Sequence, residues 1–120
     1  MAKIEARLYG EFDEVLDALD AAVLQGSATA TLEDQSDFSC GDARCAVRVY
    51  ERYSAFGSNR VSLQLTLFQV AGDDVLLSAI TSGGSEAMFF KLNTFGEESF
   101  LATLEDAVRT YAIQRRPSSR

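Results

Sequence analysis

Histidine is absent, cysteine occurs twice, proline once, and no apolar run approaches the length of a membrane helix. Each shortage removes a class of function. Without histidine the commonest general base is missing, and with it the usual Ser/His and Cys/His nucleophile arrangements. Cys40 and Cys45 alone leave a structural zinc ion two ligands short of its four, and no carboxylate spacing argues for the rest. A membrane helix takes about 20 predominantly apolar residues. The opening residues Met1-Ala2-Lys3-Ile4-Glu5-Ala6-Arg7 alternate charge with small or apolar groups and do not form the apolar stretch of a secretory signal. A cytoplasmic, reducing location is therefore expected. The one proline sits in the ending RRPSSR, residues 115–120, read as a disordered tail.

Acidic side chains outnumber basic ones by 18 to 11, a formal net charge of −7. Such a surface repels phosphate backbones and anionic lipid headgroups, so neither nucleic acid nor membrane is an expected partner. With 120 residues, 47% of them hydrophobic, the chain suits one globular domain over residues 1–114.

Residues 3–9 alternate, with Ile4, Ala6 and Leu8 on one side and Lys3, Glu5 and Arg7 on the other, the pattern of a strand with one wet face. From Glu11 to Gln25 the period becomes helical, placing Phe12, Val15, Leu16, Leu19, Ala22 and Val23 on one stripe. Gly26 suits its end. Strands are then expected over 28–40, 44–53, 61–71 and 75–82, with turns at Gly41-Asp42-Ala43 and Gly72-Asp73-Asp74. Met88 to Leu92 forms a further short apolar piece. Thr94 and Glu97 match a capping box opening a helix from about Glu97 to Gln114, with Phe100, Leu101, Leu104, Ala107, Val108 and Tyr111 facing inward. The order β-α-β-β-β-β-β-α predicts an α+β fold. Its antiparallel sheet has about six strands, and two amphipathic helices pack on one face.

Turn positions imply registers. A turn at Asp42-Ala43 sets Cys40 opposite Cys45, Asp37 opposite Arg48, Gln35 opposite Tyr50 and Glu33 opposite Arg52. Phe38 then faces Val47 inward, and Leu32 faces Tyr53. It also sets Asp34 against Glu51 on the inner side, a conflict that a bulge, or fraying near that end, would relieve. Pairing onward brings Val49 to Leu65 and Val47 to Leu67, then Leu67 to Ala79, Leu65 to Thr81, Ala79 to Phe90 and Leu77 to Leu92. One inner face then collects Val47, Val49, Leu63, Leu65, Leu67, Leu77, Phe90 and Leu92. On this reading the two cysteines are reduced thiols filling core volume. The stripe Arg44, Arg48, Tyr50 and Arg52 is an outer, charge-paired one and not an anion site.

The other face carries Phe68, Val70, Leu76, Ile80 and Phe89. An apolar patch of that kind marks an interface or binding surface, unless the C-terminal helix covers it or the register slips there. The glycine-rich Ser82-Gly83-Gly84-Ser85 lacks the following helix and the lysine of a phosphate cradle and reads as a turn. With Tyr53 it could flank the mouth of a ligand pocket.

The stretch TSGGSEAMFFKLNTFGEESFL, residues 81–101, resembles small uncharacterised bacterial families described as domains of unknown function, which implies no activity. The element order also resembles a shortened helix-grip arrangement, a class whose members often hold an apolar ligand between sheet and helix. No cofactor or metal is called for, and the balance leans away from an enzyme. The expected function is a cytosolic interaction domain forming a homodimer through the apolar outer face. Its alternatives are a carrier of a small hydrophobic ligand, and an acidic, chaperone-like adaptor for a protein partner.

Overall fold

The computed structural model describes residues 1–53, 60–83 and 97–113. Five strands are present: β1 (Ala2–Leu8), β2 (Thr31–Cys40), β3 (Ala43–Tyr53), β4 (Arg60–Val70) and β5 (Val75–Gly83). Two helices accompany them, α1 (Phe12–Gln25) and α2 (Glu105–Ile113), the latter preceded by a helical stretch over 97–102. The sheet order is β1-β5-β4-β3-β2, antiparallel throughout. The fold is thus α+β with five strands, not about six, among the described residues. The expected piece from Met88 to Leu92, the capping residue Thr94 and the tail 115–120 lie outside them.

The α1 helix begins at Phe12, the first residue of its apolar stripe and one later than the expected start at Glu11, because Glu11 is its cap: Glu11 Oε1 accepts the Glu14 N–H at 2.9 Å. Phe12, Val15, Leu16, Leu19 and Val23 are buried. They share one core with Leu8 of β1, the inward leucines of β4 and β5, and Phe100, Leu101, Leu104 and Tyr111. Gly26 ends α1 in an ordinary right-handed conformation, φ −80°. Its value is space: a Cβ there would lie 2.7 Å from Ala22 O and 2.9 Å from Thr103 Cβ.

The C-terminal helix breaks where one continuous helix is expected. Thr103 Oγ1 donates to Phe100 O at 2.7 Å, and the N–H groups of Thr103 and Leu104 bond three residues back at 3.1 and 3.0 Å. A threonine hydroxyl competing for a helical carbonyl tightens and bends the turn. The bend seats Thr103 against the end of α1. The Tyr9 N–H donates to Tyr111 O at 3.1 Å, tying the end of β1 to α2.

Three registers differ from those the turns suggest. In the first hairpin Gly41 has φ +58°, a left-handed conformation that glycine adopts freely. It therefore belongs to the loop, which becomes Gly41-Asp42. Cys40 pairs with Ala43, Phe38 with Cys45 and Gln35 with Arg48, two residues from expectation. The β4–β5 pairing also moves by two, joining Leu67 to Leu77, Leu65 to Ala79 and Leu63 to Thr81. Shifts of two leave each side chain on its face. The conflict at Asp34 resolves as expected, with an irregularity between Leu32 and Asp34.

The β3–β4 pairing moves by one, with a larger effect. Ala46 meets Leu67, Arg48 meets Leu65 and Tyr50 meets Leu63. A slip of one residue exchanges the faces of a strand. Arg44, Ala46, Arg48, Tyr50 and Arg52 consequently face the helices, and Val47 and Val49 lie on the other side. The helices use the arginines. Arg44 lies over the Phe12 ring at 4.0 Å and bonds Asp13 at 2.9 Å; Arg52 lies over the Phe100 ring at 4.6 Å and donates to Ser99 Oγ at 2.9 Å. Arg48 does reach Asp37 at 2.9 Å, diagonally rather than directly across. Glu33 approaches Arg60, not Arg52.

No helix among the described residues is long and apolar enough to cross a membrane.

Candidate functional site

Both helices share the core with the inward face of the sheet, so the opposite face stands without a helix among the described residues. Its side chains fall into rows set by the registers. One row runs Phe38, Cys45, Phe68, Leu76 and Arg7 from β2 across to β1. The next runs Ser36, Val47, Thr66, Ser78 and Glu5, and a third Asp34, Val49, Gln64, Ile80 and Lys3. Beyond the first row Ala43 pairs with Val70. Phe38 is 61% exposed, Leu76 40%, Phe68 38% and Val70 37%. Four aligned positions from Phe38 to Leu76 thus present two phenyl rings, a thiol and a leucine to solvent.

Of the five residues expected in an outer patch, Phe68, Val70, Leu76 and Ile80 share this face. Phe89 lies outside the described residues. Phe38, Cys45, Val47 and Val49 join them unforeseen, because an odd slip between β3 and β4 was needed to bring the valines outward. One open depression of about 430 Å³ is lined by Glu5, Arg7, Thr66, Phe68, Leu76 and Ser78, among others. A second, of about 460 Å³, adjoins it over Val70 and Asp74.

The cysteines are neither opposed nor buried as a pair: Cys40 is exposed, Cys45 half-buried, and both are free thiols. The two-residue turn at Gly41-Asp42 sets them diagonally on the open face. Among the described residues no group of three or more acidic, cysteine or histidine side chains is placed to hold a metal.

The residues proposed to flank a pocket mouth gather at one end of the sheet. Tyr53 pairs with Arg60, whose guanidinium lies 5.8 Å from the Tyr53 ring, while Val61 pairs with Gly83 and Ser62 with Ser82. Gly84 and Ser85 lie outside the described residues. Between sheet and helices, Leu63, Leu65, Leu67, Phe100 and Leu104 are all fully buried in one cluster.

The strongest electrostatic perturbation is on the helix side. Burial, then the hydrogen bond to Asp20, pushes the Tyr50 hydroxyl well above its ordinary pKa. Burial also lowers Arg52. Both groups are held by partners inside the fold, and their chemistry there is structural: a locked hydroxyl and a cation over an aromatic face.

No curated protein and no solved structure matches the chain. A family model does match, over residues 1–112, nearly the whole length. The chain therefore belongs to DUF6054, a family of unknown function.

Proposed function

We propose that this chain is a cytoplasmic, non-enzymatic interaction domain that self-associates through the open face of its sheet. The observation that carries the reading is the row Phe38, Cys45, Phe68 and Leu76, apolar across four neighbouring strands and flanked by Val70. Exposed contiguous apolar surface is costly in water and marks an interaction site. A homodimer with two-fold symmetry is the simplest arrangement that covers it. The carrier alternative needs room between sheet and helices, where five large side chains are already fully buried together. The adaptor alternative has acidity in its favour but no pairing surface as continuous as this one.

Sedimentation equilibrium tests the reading. Wild-type protein is expected to be dimeric at micromolar concentration, and Phe68→Asp to be folded and monomeric. Wild-type protein that stays monomeric into the high micromolar range sinks it.

A further inference from the structure

A second copy can be laid on the open face about a two-fold axis running along the strands or across them. At about 4.8 Å between strands the five-stranded sheet is about 24 Å wide, and the eleven residues of β4 run about 35 Å. The face is therefore of the order of 800 Å², about one partner's share of a standard interface. β4 is its middle strand. A two-fold axis lying in the interface along β4 places β1 of one copy over β2 of the other, and β5 over β3.

Resting on the reading that this face self-associates, we infer that the occupant is a second copy of the chain, stacked sheet on sheet about a two-fold axis parallel to β4. Each row then meets itself reversed. In the row Asp34, Val49, Gln64, Ile80 and Lys3, Asp34 of one copy meets Lys3 of the other. Val49 meets Ile80, and the two Gln64 amides meet at the axis. In the apolar row Phe68 meets Phe68, Cys45 meets Leu76, and Arg7 comes over Phe38, a cation on a phenyl face. Lys3 and Arg7 are each more than half exposed in the single chain, although they touch Glu5 and Asp74 within it, so their charges remain available to a partner.

The alternative axis, across the strands, sets β1 over β1. Lys3 then meets Arg7 and Glu5 meets Glu5, like against like at the same rim. Like charges brought together across an interface oppose association and set its register. Charge thus selects the axis along β4. Stacked sheets keep their strands within about 30° of each other, which preserves these rows approximately.

Single cysteines introduced in a Cys40→Ser, Cys45→Ser background test the geometry, using a bis-maleimide that spans about 10 Å, the spacing of stacked sheets. Gln64→Cys lies on the proposed axis and is expected to cross-link to a covalent dimer. Glu5→Cys is expected to stay monomeric on denaturing gels, because the two β1 strands are then about 19 Å apart across the sheet. As a second measurement, Lys3→Glu and Asp34→Lys should each weaken dimerisation about tenfold, with the double variant recovering most of it. A dimer that cross-links at Glu5→Cys, or fails to do so at Gln64→Cys, overturns the axis and leaves self-association standing. A monomeric wild type overturns the self-association reading itself.

Discussion

The hydroxyl of Tyr50 donates to Asp20 across 2.6 Å, joining the middle of β3 to the solvent-leaning side of α1. Tyr50 is fully buried, so this bond is the polar end of a large core side chain and fixes which face of β3 turns inward.

Tyr50→Phe keeps the ring and loses the bond. A cost of about 1 kcal/mol is expected, measurable as a lower urea midpoint with an unchanged slope. The same pair sets an alkaline limit. Because the folded pKa of Tyr50 is raised above its ordinary value of 10.0, folded and unfolded chains are both protonated at this site below about pH 10. Above it only the unfolded chain ionises, and stability is lost. Wild-type protein should therefore lose more stability above about pH 10 than Tyr50→Phe. Tyr111, also raised by burial and by Glu14, leaves the variant a residual slope. Equal losses in the two proteins would rule out Tyr50 as the cause.

The faces of β3 can be read by substitution. Val49→Asp, on the open face, is expected to give a folded protein. Ala46→Asp, whose side chain is almost fully buried, should not fold, since an unpaired charge enters the core. Likewise Leu65→Ala should cost about 2–5 kcal/mol, and Leu76→Ala well under half of that. Circular dichroism and thermal melting distinguish these outcomes, and the reverse order for Val49 and Ala46 would contradict the register.

Two glycines are needed for different reasons. Gly41 has open space around it but a positive φ, so Gly41→Asn should be tolerated and Gly41→Val should cost about 1–2 kcal/mol. Gly26 has an ordinary φ but no room. Gly26→Ala should destabilise although alanine is the better helix former, because Ala22 O and Thr103 would have to move. Chemical denaturation of the three variants checks both halves; a stabilised Gly26→Ala would show that α1 and the Thr103 bend are not packed as described.

Arg52→Lys keeps the charge and loses the planar group stacked on Phe100 and bonded to Ser99. It is expected to lower stability by about 1 kcal/mol. A lysine variant melting with the wild type would reduce Arg52 to a charge.

Local periodicity carried much of the fold. The alternation of β1, the stripe of α1 and the inward leucines 63, 65, 67 and 77 are read directly from the sequence, as is the irregularity near Asp34. Pairing was legible only as far as the turns were. Whether Gly41 closes β2 or belongs to the loop shifts the hairpin by two residues, which harms no face assignment. Between β3 and β4 lie six residues, 54–59, too many for the sequence to set the register, and one residue decides whether Val49 or Tyr50 is buried. Reading Arg48 and Arg52 as an outer, charge-paired stripe agreed with the wrong choice, which left them apparently costly to bury. Asp37, Ser99 and the Phe100 ring, supplied by other elements, remove that cost. The candidate face was accordingly half visible: Phe68, Val70, Leu76 and Ile80 followed from β4 and β5 alone, while Phe38, Cys45, Val47 and Val49 depended on the missing parity.

All ten residues of β2 are exposed, and among the described residues β2 pairs with β3 alone. Its hydrogen bonds are therefore the least sheltered of the sheet, and its opening free energy is local rather than global. In amide exchange β2 should release its protons first, while β4 and β5 keep theirs until the whole chain unfolds. The protein is in that sense a four-stranded body with a detachable fifth strand. In the proposed stacked dimer Asp34 and Phe38 would be the very groups pinned by the other copy, so association would anneal the strand that isolation leaves loose.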